Sequence, residues 1–221
     1  MQIPKLAVII PCYNEELCIE KTCRRLLEVL EMLVEKGKIS SDSYIYCVDD
    51  GSNDSTWSII ERLHSETPLV KGATFVRNYG NQKALIAGLE GVRDLGCDCA
   101  VSIDADLQQD ELSIEQFVDE YQKGYDIVLG VRNDRKTDNF FKKITAIMFY
   151  KLMNILGSKI AMNHSDYRLV SKKALDMMDL YHEKSLFLRG FFHELGLKTT
   201  TVKFYVKPRF AGQSKFNFTS L

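Results

Sequence analysis

The chain has 221 residues, enough for one large or two small domains, and 45% of them are hydrophobic while 27% are charged, an ordinary composition for a folded globular protein. Lysine and arginine number 29 against 30 aspartates and glutamates, which leaves a formal net charge of −1. This balance gives no overall basic field, so the sequence predicts no nucleic-acid partner, and any contact with a polyanion must be local.

The sequence contains no pattern typical of a membrane-spanning helix, a signal peptide or a zinc site. No run approaches the roughly 18 consecutive apolar residues of a membrane-spanning helix, so the chain as given is predicted to be soluble. The apolar run at residues 6–10 is too short for a signal peptide and lacks a small-residue cleavage site, so we predict no export. Six cysteines show no Cys-x-x-Cys zinc spacing, and reduced cytosolic thiols are the expected state.

Apolar runs and helical repeats alternate along the first 130 residues. Strands are predicted at residues 6–10, 44–48, 73–76, 99–103 and 127–130. Helices are predicted at residues 19–33, 56–63, 82–95 and 113–123. This alternation implies right-handed crossovers and a single α/β domain with a mostly parallel, Rossmann-like central sheet that helices cover on both faces.

The pattern changes after about residue 137. A long helix is predicted at residues 140–156, a less regular region begins at residues 167–170, and a last strand is predicted at residues 199–206. The tail, residues 207–221, mixes lysine and arginine with phenylalanine and is predicted to be a basic, aromatic surface segment. We therefore expect one domain over residues 1–206, followed by this C-terminal segment.

Three polar clusters, at residues 11–15, 49–56 and 104–109, each follow a predicted strand. Because ligands of parallel α/β sheets bind beyond the carboxyl ends of the strands, we expect these clusters to meet in one site. Asp104 and Asp106 offer two carboxylates directly after an apolar strand, an arrangement that suits Mg²⁺ or Mn²⁺ beside nucleotide phosphates. Taken alone, so short a pair favours an acidic surface turn, and it is the position after a strand that supports the metal site.

Other nucleotide-binding and phosphate-transferring classes fit the sequence less well. Neither a Gly-x-Gly-x-x-Gly after the first strand nor a Gly-x-x-x-x-Gly-Lys-Ser/Thr loop occurs, which argues against a dinucleotide dehydrogenase and a P-loop NTPase. A phosphatase with an aspartyl nucleophile would be expected to carry Asp-x-Asp after its first strand, whereas this chain carries it after the fourth.

Short sequences in a fixed order resemble those of family 2 glycosyltransferases of the GT-A type. They are Pro11-Cys12-Tyr13-Asn14-Glu15, Val48-Asp49-Asp50-Gly51-Ser52-Asn53-Asp54-Ser55-Thr56, Arg77-Asn78-Tyr79-Gly80 and Asp104-Ala105-Asp106-Leu107-Gln108. Later sequences resemble the subgroup that glycosylates polyprenyl phosphates, including dolichol-phosphate mannose synthases and bactoprenol-phosphate glucosyltransferases. They are Gly130-Val131-Arg132-Asn133-Asp134-Arg135, Asp166-Tyr167-Arg168-Leu169 and Arg209-Phe210-Ala211-Gly212-Gln213-Ser214-Lys215-Phe216.

The resemblance implies a nucleotide-sugar donor and a divalent cation, Mg²⁺ or Mn²⁺. The residues implied in donor binding are Pro11, Tyr13, Asn14, Glu15, Asp49, Asp50 and Asp104. The residues implied in metal binding on the diphosphate are Asp104, Asp106 and Gln108. A structural reading of residues 49–52 remains open beside this one, namely a turn in which Ser52 or Asp54 caps the next helix. Many relatives carry prolines after the Asp-Leu-Gln stretch, where this chain has Gln109-Asp110-Glu111, a departure that bears on the rigidity of the loop and on metal occupancy.

The implied reaction is an inverting transfer of a hexose, from a UDP-sugar rather than a GDP-sugar, to a polyprenyl phosphate at the cytoplasmic membrane face. The residues implied in catalysis or acceptor binding are Asp106, Asp166, Arg132, Arg135, Arg209, Ser214 and Lys215, with Lys142 and Lys143 matching only by approximate position. Asp166 would deprotonate a hydroxyl acceptor or, with a phosphate acceptor, orient sugar hydroxyls or an arginine.

Two other functions stay open from the sequence. The same fold could transfer the sugar to a saccharide hydroxyl in capsule or lipopolysaccharide synthesis, or the domain could be a scaffold with a vestigial pocket. Relatives of the bactoprenol type carry membrane helices beyond a motif like the one at residues 212–216, and this chain ends five residues past it, so we expect a truncated chain. The sequence does not indicate the oligomeric state.

Overall fold

The structure is a computed structural model that describes residues 3–133, 164–181 and 188–207. The strands in these ranges are β1 (Leu6–Cys12), β2 (Tyr44–Asp49), β3 (Val70–Thr74), β4 (Cys99–Ser102), β5 (Ile127–Arg132), β6 (His164–Ser171) and β7 (Thr199–Phe204). The helices are α1 (Ile19–Glu35), α2 (Thr56–Glu66), α3 (Asn81–Asp94), α4 (Ser113–Gln122), α5 (Lys172–Asp179) and α6 (Leu188–Glu194). The helix predicted at residues 140–156 lies outside the described residues.

The strands form one sheet in the order β3-β2-β1-β4-β6-β5-β7. The paired strands run parallel except at β6, which is antiparallel to both β4 and β5. The prediction of a mostly parallel α/β sheet is therefore confirmed. The prediction of a less regular region at residues 167–170 is wrong, because these residues are buried in the interior of β6. Arg168 interrupts the apolar run there, and a buried charge is not expected in a central strand.

Helices cover both faces of the sheet, which explains why the strands are so apolar. All seven residues of β1 are buried. Leu6, Val8 and Ile10 face one core with α1, α2 and α4, whereas Ala7 and Ile9 face the other with α3, α5 and α6. Fully burying one Val, Leu or Ile side chain contributes roughly 1.5–3 kcal/mol, so these two cores fix the register of the central strands.

The third strand lies earlier in the chain than predicted. The prediction placed it at residues 73–76, but β3 is Val70–Thr74, and the side chain of Val76 is 94% exposed. The apolar pair at residues 75 and 76 has strand-like composition but belongs to the loop that leads to α3. The last strand, predicted at residues 199–206, ends at Phe204, and Val206 forms an isolated antiparallel bridge with Gln109.

All six cysteines are free, as the sequence led us to expect, and all six are buried. The sulfur atoms of Cys23 and Cys47 lie 3.7 Å apart, well beyond the roughly 2.05 Å of a disulfide bond. Within the described ranges, no helix combines the length and the hydrophobicity needed to cross a membrane.

Candidate active site

The carboxyl ends of β2, β1 and β4 lie side by side at one edge of the sheet. Cys12 pairs with Asp49, and the N–H group of Ile103 still donates to the Ile9 carbonyl at 3.0 Å, so Asp104 leaves the sheet directly beyond β4. Because β1 separates β2 from β4 and neighbouring strands are about 4.8 Å apart, the ends of β2 and β4 are about 10 Å apart. The structure thus brings the predicted donor and metal residues to one edge.

Asp49 ends β2, and hydroxyl groups hold its buried carboxylate. The Ser52 hydroxyl donates to Oδ1, the Thr74 hydroxyl donates to Oδ2 at 2.7 Å, and the Ser52 N–H nitrogen lies 3.3 Å from each oxygen. Ser52 is three residues further along and makes a local turn, whereas Thr74 ends β3 and ties the two strand ends together. The carboxylate is therefore fixed in direction by neutral groups.

Asp50 anchors the loop that precedes α3. Its two oxygens accept hydrogen bonds from the N–H groups of Tyr79 at 2.7 Å and Gly80 at 2.8 Å. The backbone of this loop passes so close to Gly51 that a Cβ there would lie 2.4 Å from the carbonyl carbon of Arg77, and Gly51 also has a φ of +67°. Only glycine fits both requirements, so this position fixes the approach of the loop to the end of β2.

The loop after β1 is bonded to the loop after β2. The Asn14 N–H group donates to the Ser52 hydroxyl at 2.8 Å, and the Glu15 N–H group donates to the Thr56 hydroxyl at 2.8 Å. Asn14 has a φ of +50°, a conformation that asparagine tolerates better than most residues. The two loops therefore form one hydrogen-bonded unit at the sheet edge.

Pro11 and Tyr13, the remaining predicted donor contacts, also lie at the end of β1. Pro11 is buried within the strand, in register with Val48, and Tyr13 follows the strand and is half-buried. Pro11 has no N–H group to give to the sheet, which suits its position beyond Ile9, the last residue of β1 that pairs with β4. Their contacts with a nucleoside stay predictions.

The Asp-x-Asp pair lies on a loop that is fixed at several points. The N–H group of Gln108 donates to Oδ1 of Asp106 at 3.1 Å. The Thr22 hydroxyl of α1 donates at 2.6 Å to the carbonyl of Ala105, which lies between the two aspartates. The side chain of Gln109 bonds to Asp104. Both aspartates and Gln108 are half-buried, so the loop holds its carboxylates in place without sealing them from a ligand.

Ionic contacts fix the next part of this loop, Asp110 and Glu111. Nζ of Lys207 lies 2.8 Å from Oδ1 of Asp110 and 2.6 Å from Oε2 of Glu111. Nε of Arg25 donates to Oε1 of Glu111 at 2.9 Å, and the Tyr167 hydroxyl donates to the Asp110 carbonyl at 2.9 Å. Side-chain contacts thus restrain a stretch of loop that contains no proline ring.

Two groups near the loop, Glu111 and Cys12, have shifted pKa values. Burial would raise the pKa of Glu111, but hydrogen bonds from Lys207 and Arg25 outweigh it, and the net pKa is lowered. Burial, followed by the charge of Asp49, raises the pKa of the Cys12 thiol well above its ordinary value. Cys12 is therefore a protonated core residue and not a nucleophile.

Asp166 reaches the same edge because β6 is antiparallel and begins there. Its carboxylate accepts a hydrogen bond from the guanidinium of Arg168, and its carbonyl accepts one from the Ser102 hydroxyl. Arg168 is only 3% exposed, donates to the Leu188 carbonyl at 3.3 Å and lies 5.4 Å from the ring centre of Phe192. A buried arginine thus connects Asp166 to α6.

Arg132 ends β5, is exposed and lies at this edge in register with Phe204. The other predicted acceptor residues lie outside the described residues. They are Arg135, Lys142, Lys143, Arg209, Ser214 and Lys215. Their roles remain predictions from the sequence.

Asp104 and Asp106 fit a hard divalent cation by their chemistry. They provide carboxylate oxygens on one fixed loop, the donor type that Mg²⁺ and Mn²⁺ prefer. In the ranges that the structure describes, no group of three or more His, Cys, Asp or Glu side chains could hold a metal. A cation here would therefore take a pair of protein carboxylates and complete its shell with water and phosphate oxygens, as Mg²⁺ commonly does beside nucleotides.

Comparison with known proteins decides the family. Residues 7–178 match the family described as Glycosyl transferase family 2. The chain belongs to glycosyl transferase family 2. This confirms the resemblance found in the sequence, and the fold is that of the GT-A glycosyltransferases.

Several curated relatives of this family 2 chain cover nearly all of it. It is 45% identical over 213 residues to "Uncharacterized glycosyltransferase YkoT" of Bacillus subtilis (strain 168), covering 96% of this chain and 63% of the relative. It is 38% identical over 217 residues to "Prophage bactoprenol glucosyl transferase homolog" of Escherichia coli (strain K12), covering 96% and 67%. The chain thus spans about two thirds of the length of these relatives.

Solved structures agree on the fold. Glucosyl-3-phosphoglycerate synthase from Mycobacterium tuberculosis, in complex with Mn²⁺, UDP and glucosyl-3-phosphoglycerate, is similar with a TM-score of 0.61 and 19% identity. The match covers 95% of the family 2 chain and 73% of the synthase. At this identity the likeness concerns the fold alone.

Four residues that shape the family 2 site were not predicted as site residues. They are Thr74, Gln109, Arg168 and Lys207. Arg168 stands in the same short motif as Asp166, so its proximity to that aspartate was a usable signal. Thr74 has no such signal, because it meets Asp49 only through the pairing of β2 and β3.

Proposed function

We propose that the chain is the catalytic domain of a metal-dependent, inverting glycosyltransferase that moves a hexose from a nucleotide sugar to polyprenyl phosphate. A UDP-sugar such as UDP-glucose is the favoured donor. The observation that carries the proposal is the meeting of Asp49 and Asp50 with Asp104 and Asp106 at one sheet edge in a family 2 chain. Relatives named bactoprenol glucosyl transferase support the acceptor, at 37–38% identity over 96% of the chain.

The donor nucleoside would bind at the ends of β1 and β2. Asp49 is an acceptor of hydrogen bonds, so it suits the ribose hydroxyls and base N–H groups of a nucleoside. Its two hydroxyl partners already fix the carboxylate direction, which reduces the ordering needed when the donor binds. Pro11 and Tyr13 would supply apolar contact beside it.

The donor diphosphate would lie over the Asp-x-Asp loop, where Asp104, Asp106 and Gln108 would hold the cation. A divalent cation supplies charge stabilisation for the departing phosphate oxygens, which gain negative charge as the bond to the sugar breaks. The chain's own contribution is to fix these oxygen ligands before the donor arrives, through the hydrogen bonds of the loop to α1 and within itself.

The acceptor phosphate would need cations rather than a base. With a second pKa near ~6, a phosphate monoester is mostly dianionic at neutral pH and is already a nucleophile. Asp166 is engaged by Arg168, which suits orientation of the sugar or of an arginine better than proton removal. Arg132 at the end of β5 would hold the dianion, together with Arg135, Arg209, Ser214 and Lys215 of the sequence motifs.

Residues 1–206 would form the catalytic domain, and the basic, aromatic residues 207–221 would meet the membrane surface. Polyprenyl phosphate is a lipid whose phosphate lies at the bilayer surface, so transfer would occur there, on the cytoplasmic face where nucleotide sugars are made. Lysine and arginine beside a bilayer gain about 1 kcal/mol each from anionic lipid.

The first experiment identifies donor and acceptor together. The midpoint temperature of thermal unfolding is measured with UDP-, GDP- and dTDP-sugars, with and without Mn²⁺. It should rise most with a UDP-sugar and Mn²⁺, because a ligand of the native state raises its stability. Radiolabelled donor and vesicles that contain polyprenyl phosphate should then give an acid-labile lipid product. Label found only in water-soluble glycan would instead support the saccharide-acceptor alternative.

The second experiment removes one metal ligand. Asp106→Asn keeps the shape of the side chain but lowers its charge, and we expect turnover to fall by about 10³-fold, since metal stabilisation is worth several kcal/mol and each 1.36 kcal/mol is tenfold in rate. Mn²⁺-dependent binding of UDP should be lost as well. Asp94→Asn, on a side chain that is 68% exposed at the end of α3, is the matched control. Ordinary turnover in Asp106→Asn would exclude the metal role of this residue.

A further inference from the structure

Both polar atoms of the Gln109 side-chain amide form hydrogen bonds with Asp104, the first residue of the Asp-x-Asp pair. The Asp104 N–H group donates to Oε1 of Gln109 at 2.9 Å, and Nε2 of Gln109 donates to Oδ2 of Asp104 at 2.7 Å. Gln109 is only 1% exposed. A buried amide that makes two hydrogen bonds to one residue is a rigid clamp, because losing either bond would leave a buried polar atom unsatisfied.

The two groups that face the Gln109 amide, one a donor and one an acceptor, determine its orientation. A backbone N–H group can only donate, so the atom that faces it must be the oxygen of Gln109. The NH₂ group must then face the Asp104 carboxylate. Together the two bonds close a ring through the backbone and side chain of Asp104, and this ring fixes both side-chain torsions of the aspartate.

The clamp is itself fixed to the rest of the fold. Gln109 pairs with Val206 in an antiparallel bridge just beyond β7. The Lys207 N–H group donates to the carbonyl of Gln108 at 2.8 Å, and the Lys207 side chain pairs with both residues that follow Gln109. Gln109 therefore holds Asp104 from a backbone that the C-terminal strand region supports.

We propose that Gln109 is a positioning residue that sets the Asp104 carboxylate in the orientation needed for the divalent cation. The inference rests on the proposed function only in taking the Asp-x-Asp pair as the metal site. Hydrogen bonds to metal ligands orient them before the metal arrives, and losing such a partner typically weakens metal binding by 10- to 100-fold. Gln109 acts through Asp104 and does not touch the substrate.

The test compares Gln109→Met with Gln109→Asn. Methionine keeps the length of the side chain but removes both the donor and the acceptor, whereas asparagine keeps the amide but is one methylene too short to reach both atoms. Gln122→Met is the matched control, because Gln122 on α4 donates to the Lys38 carbonyl at 3.0 Å in a part of the fold away from the site. Asparagine also serves if the methionine variant does not fold.

Three quantities are measured on each purified chain. They are the Kd for Mn²⁺ in the presence of UDP, by calorimetry or by electron paramagnetic resonance of the free ion, the Kd for UDP without metal, and the urea midpoint of unfolding. We expect Gln109→Met to raise the Kd for Mn²⁺ by about 10- to 100-fold and Gln109→Asn by about tenfold or more. The Kd for UDP without metal should change less than about twofold, because Asp104 holds the nucleotide through the cation.

An unchanged Kd for Mn²⁺ in a folded variant would overturn the proposal. So would a loss of UDP binding without metal that parallels the loss of Mn²⁺ binding, because that result indicates only a structural role. If the unmodified chain binds Mn²⁺ with UDP but transfers no sugar to polyprenyl phosphate, the proposed acceptor is wrong and Gln109 keeps its role. If the unmodified chain binds no Mn²⁺, both proposals fail.

Discussion

Two regions of the site hold their carboxylates in different ways. At the end of β2, Asp49 and Asp50 accept hydrogen bonds from hydroxyls and backbone N–H groups, which are neutral. Around the Asp-x-Asp loop, Asp110, Glu111 and Asp166 are held by cations. These cations are Lys207, Arg25 and Arg168. We call these the neutral-held region and the cation-held region.

Under the proposed function, the difference matches what each region would bind. A neutral donor orients a carboxylate without cancelling its charge, which suits an acceptor for the hydroxyl and N–H groups of a nucleoside. Beside the proposed metal ligands Asp104 and Asp106 the requirement would be opposite, because extra unpaired carboxylates would repel the proposed diphosphate and phosphate acceptor. The cation-held region offsets three such charges, so the negative charge of the loop is concentrated on Asp104 and Asp106.

Arg168→Met breaks the cation-held region where it is most buried, and we expect the largest effect there. Removing one partner of a buried ion pair destabilises by about 3–5 kcal/mol, and the 24% exposure of the Asp166 side chain places the expected loss near the lower end, about 3 kcal/mol. Unfolding in urea measures it. Turnover should fall while the Kd for UDP without metal stays within about twofold, because the neutral-held region is untouched.

Arg168→Lys separates charge from geometry in this prediction. Lysine keeps the positive charge but lacks the planar fork that serves Asp166 and Leu188 together. We expect a loss of stability about half as large as in the methionine variant. If both variants bind UDP much more weakly without metal, the two regions are not separate, and the comparison is wrong.

The sheet edge could be predicted from the sequence because it follows from periodicity and direction. Alternating strands and helices put Asp49 and Asp104 beyond parallel strands, and parallel strands end together. The position of Asp166 could not be predicted this way, since its strand runs antiparallel after a long connection. In a mostly parallel sheet the end at which an added antiparallel strand begins depends on that connection and not on local pattern.

The contacts that orient the carboxylates divide in the same way. The Ser52 to Asp49 contact spans three residues and is of the local turn type that the sequence suggests. The Lys207 to Glu111 contact spans 96 residues and depends on β7 reaching the same edge. Gln109 is close in sequence to Asp104, but its inward direction follows from the bridge to Val206, which is a tertiary contact.

Asp50→Asn tests the neutral-held region, with a smaller expected effect. The asparagine oxygen can accept only one of the two N–H groups, and its NH₂ group then faces the other, so we expect a loss of about 1–3 kcal/mol. Because Asp50 anchors the loop at residues 79 and 80 beside Asp49, the Kd for UDP without metal should rise as well. Calorimetry and urea unfolding measure the two quantities.

Asp98→Asn is the matched control for Asp50→Asn. Asp98 accepts a backbone hydrogen bond from Lys5 at 2.8 Å, just before β4, at the opposite edge of the sheet. The Asp98→Asn variant should be less stable than the unmodified chain but should bind UDP with the same affinity. Equal effects of the two variants on UDP binding would show that Asp50 acts only through global stability.

Lys207→Met should have the smallest effect, and its pH dependence tests the cation-held region most directly. The Lys207 side chain is 40% exposed, so solvent screening limits the expected loss to about 1 kcal/mol at pH 7. The lowered pKa of Glu111 means that its contribution is complete above the pKa of an unfolded glutamate, about 4.3, and is lost as pH falls through the lower folded value. The stability difference between the two chains should therefore shrink below about pH 4.

The alkaline limb has the opposite sign. The pKa of Lys207 is raised, because its hydrogen bonds to Asp110 and Glu111 outweigh the effect of burial, so its contribution is lost as pH rises through that raised value, above about 10.4. Urea unfolding from pH 3 to 8 tests the acid limb, with Lys203→Met, at an exposed position of β7, as the control for an equal change in charge. A difference between Lys207→Met and the unmodified chain that stays constant down to pH 3 would mean that the lysine acts by packing alone. In that case Lys207 would not serve to offset the negative charges of Asp110 and Glu111 beside the Asp-x-Asp pair.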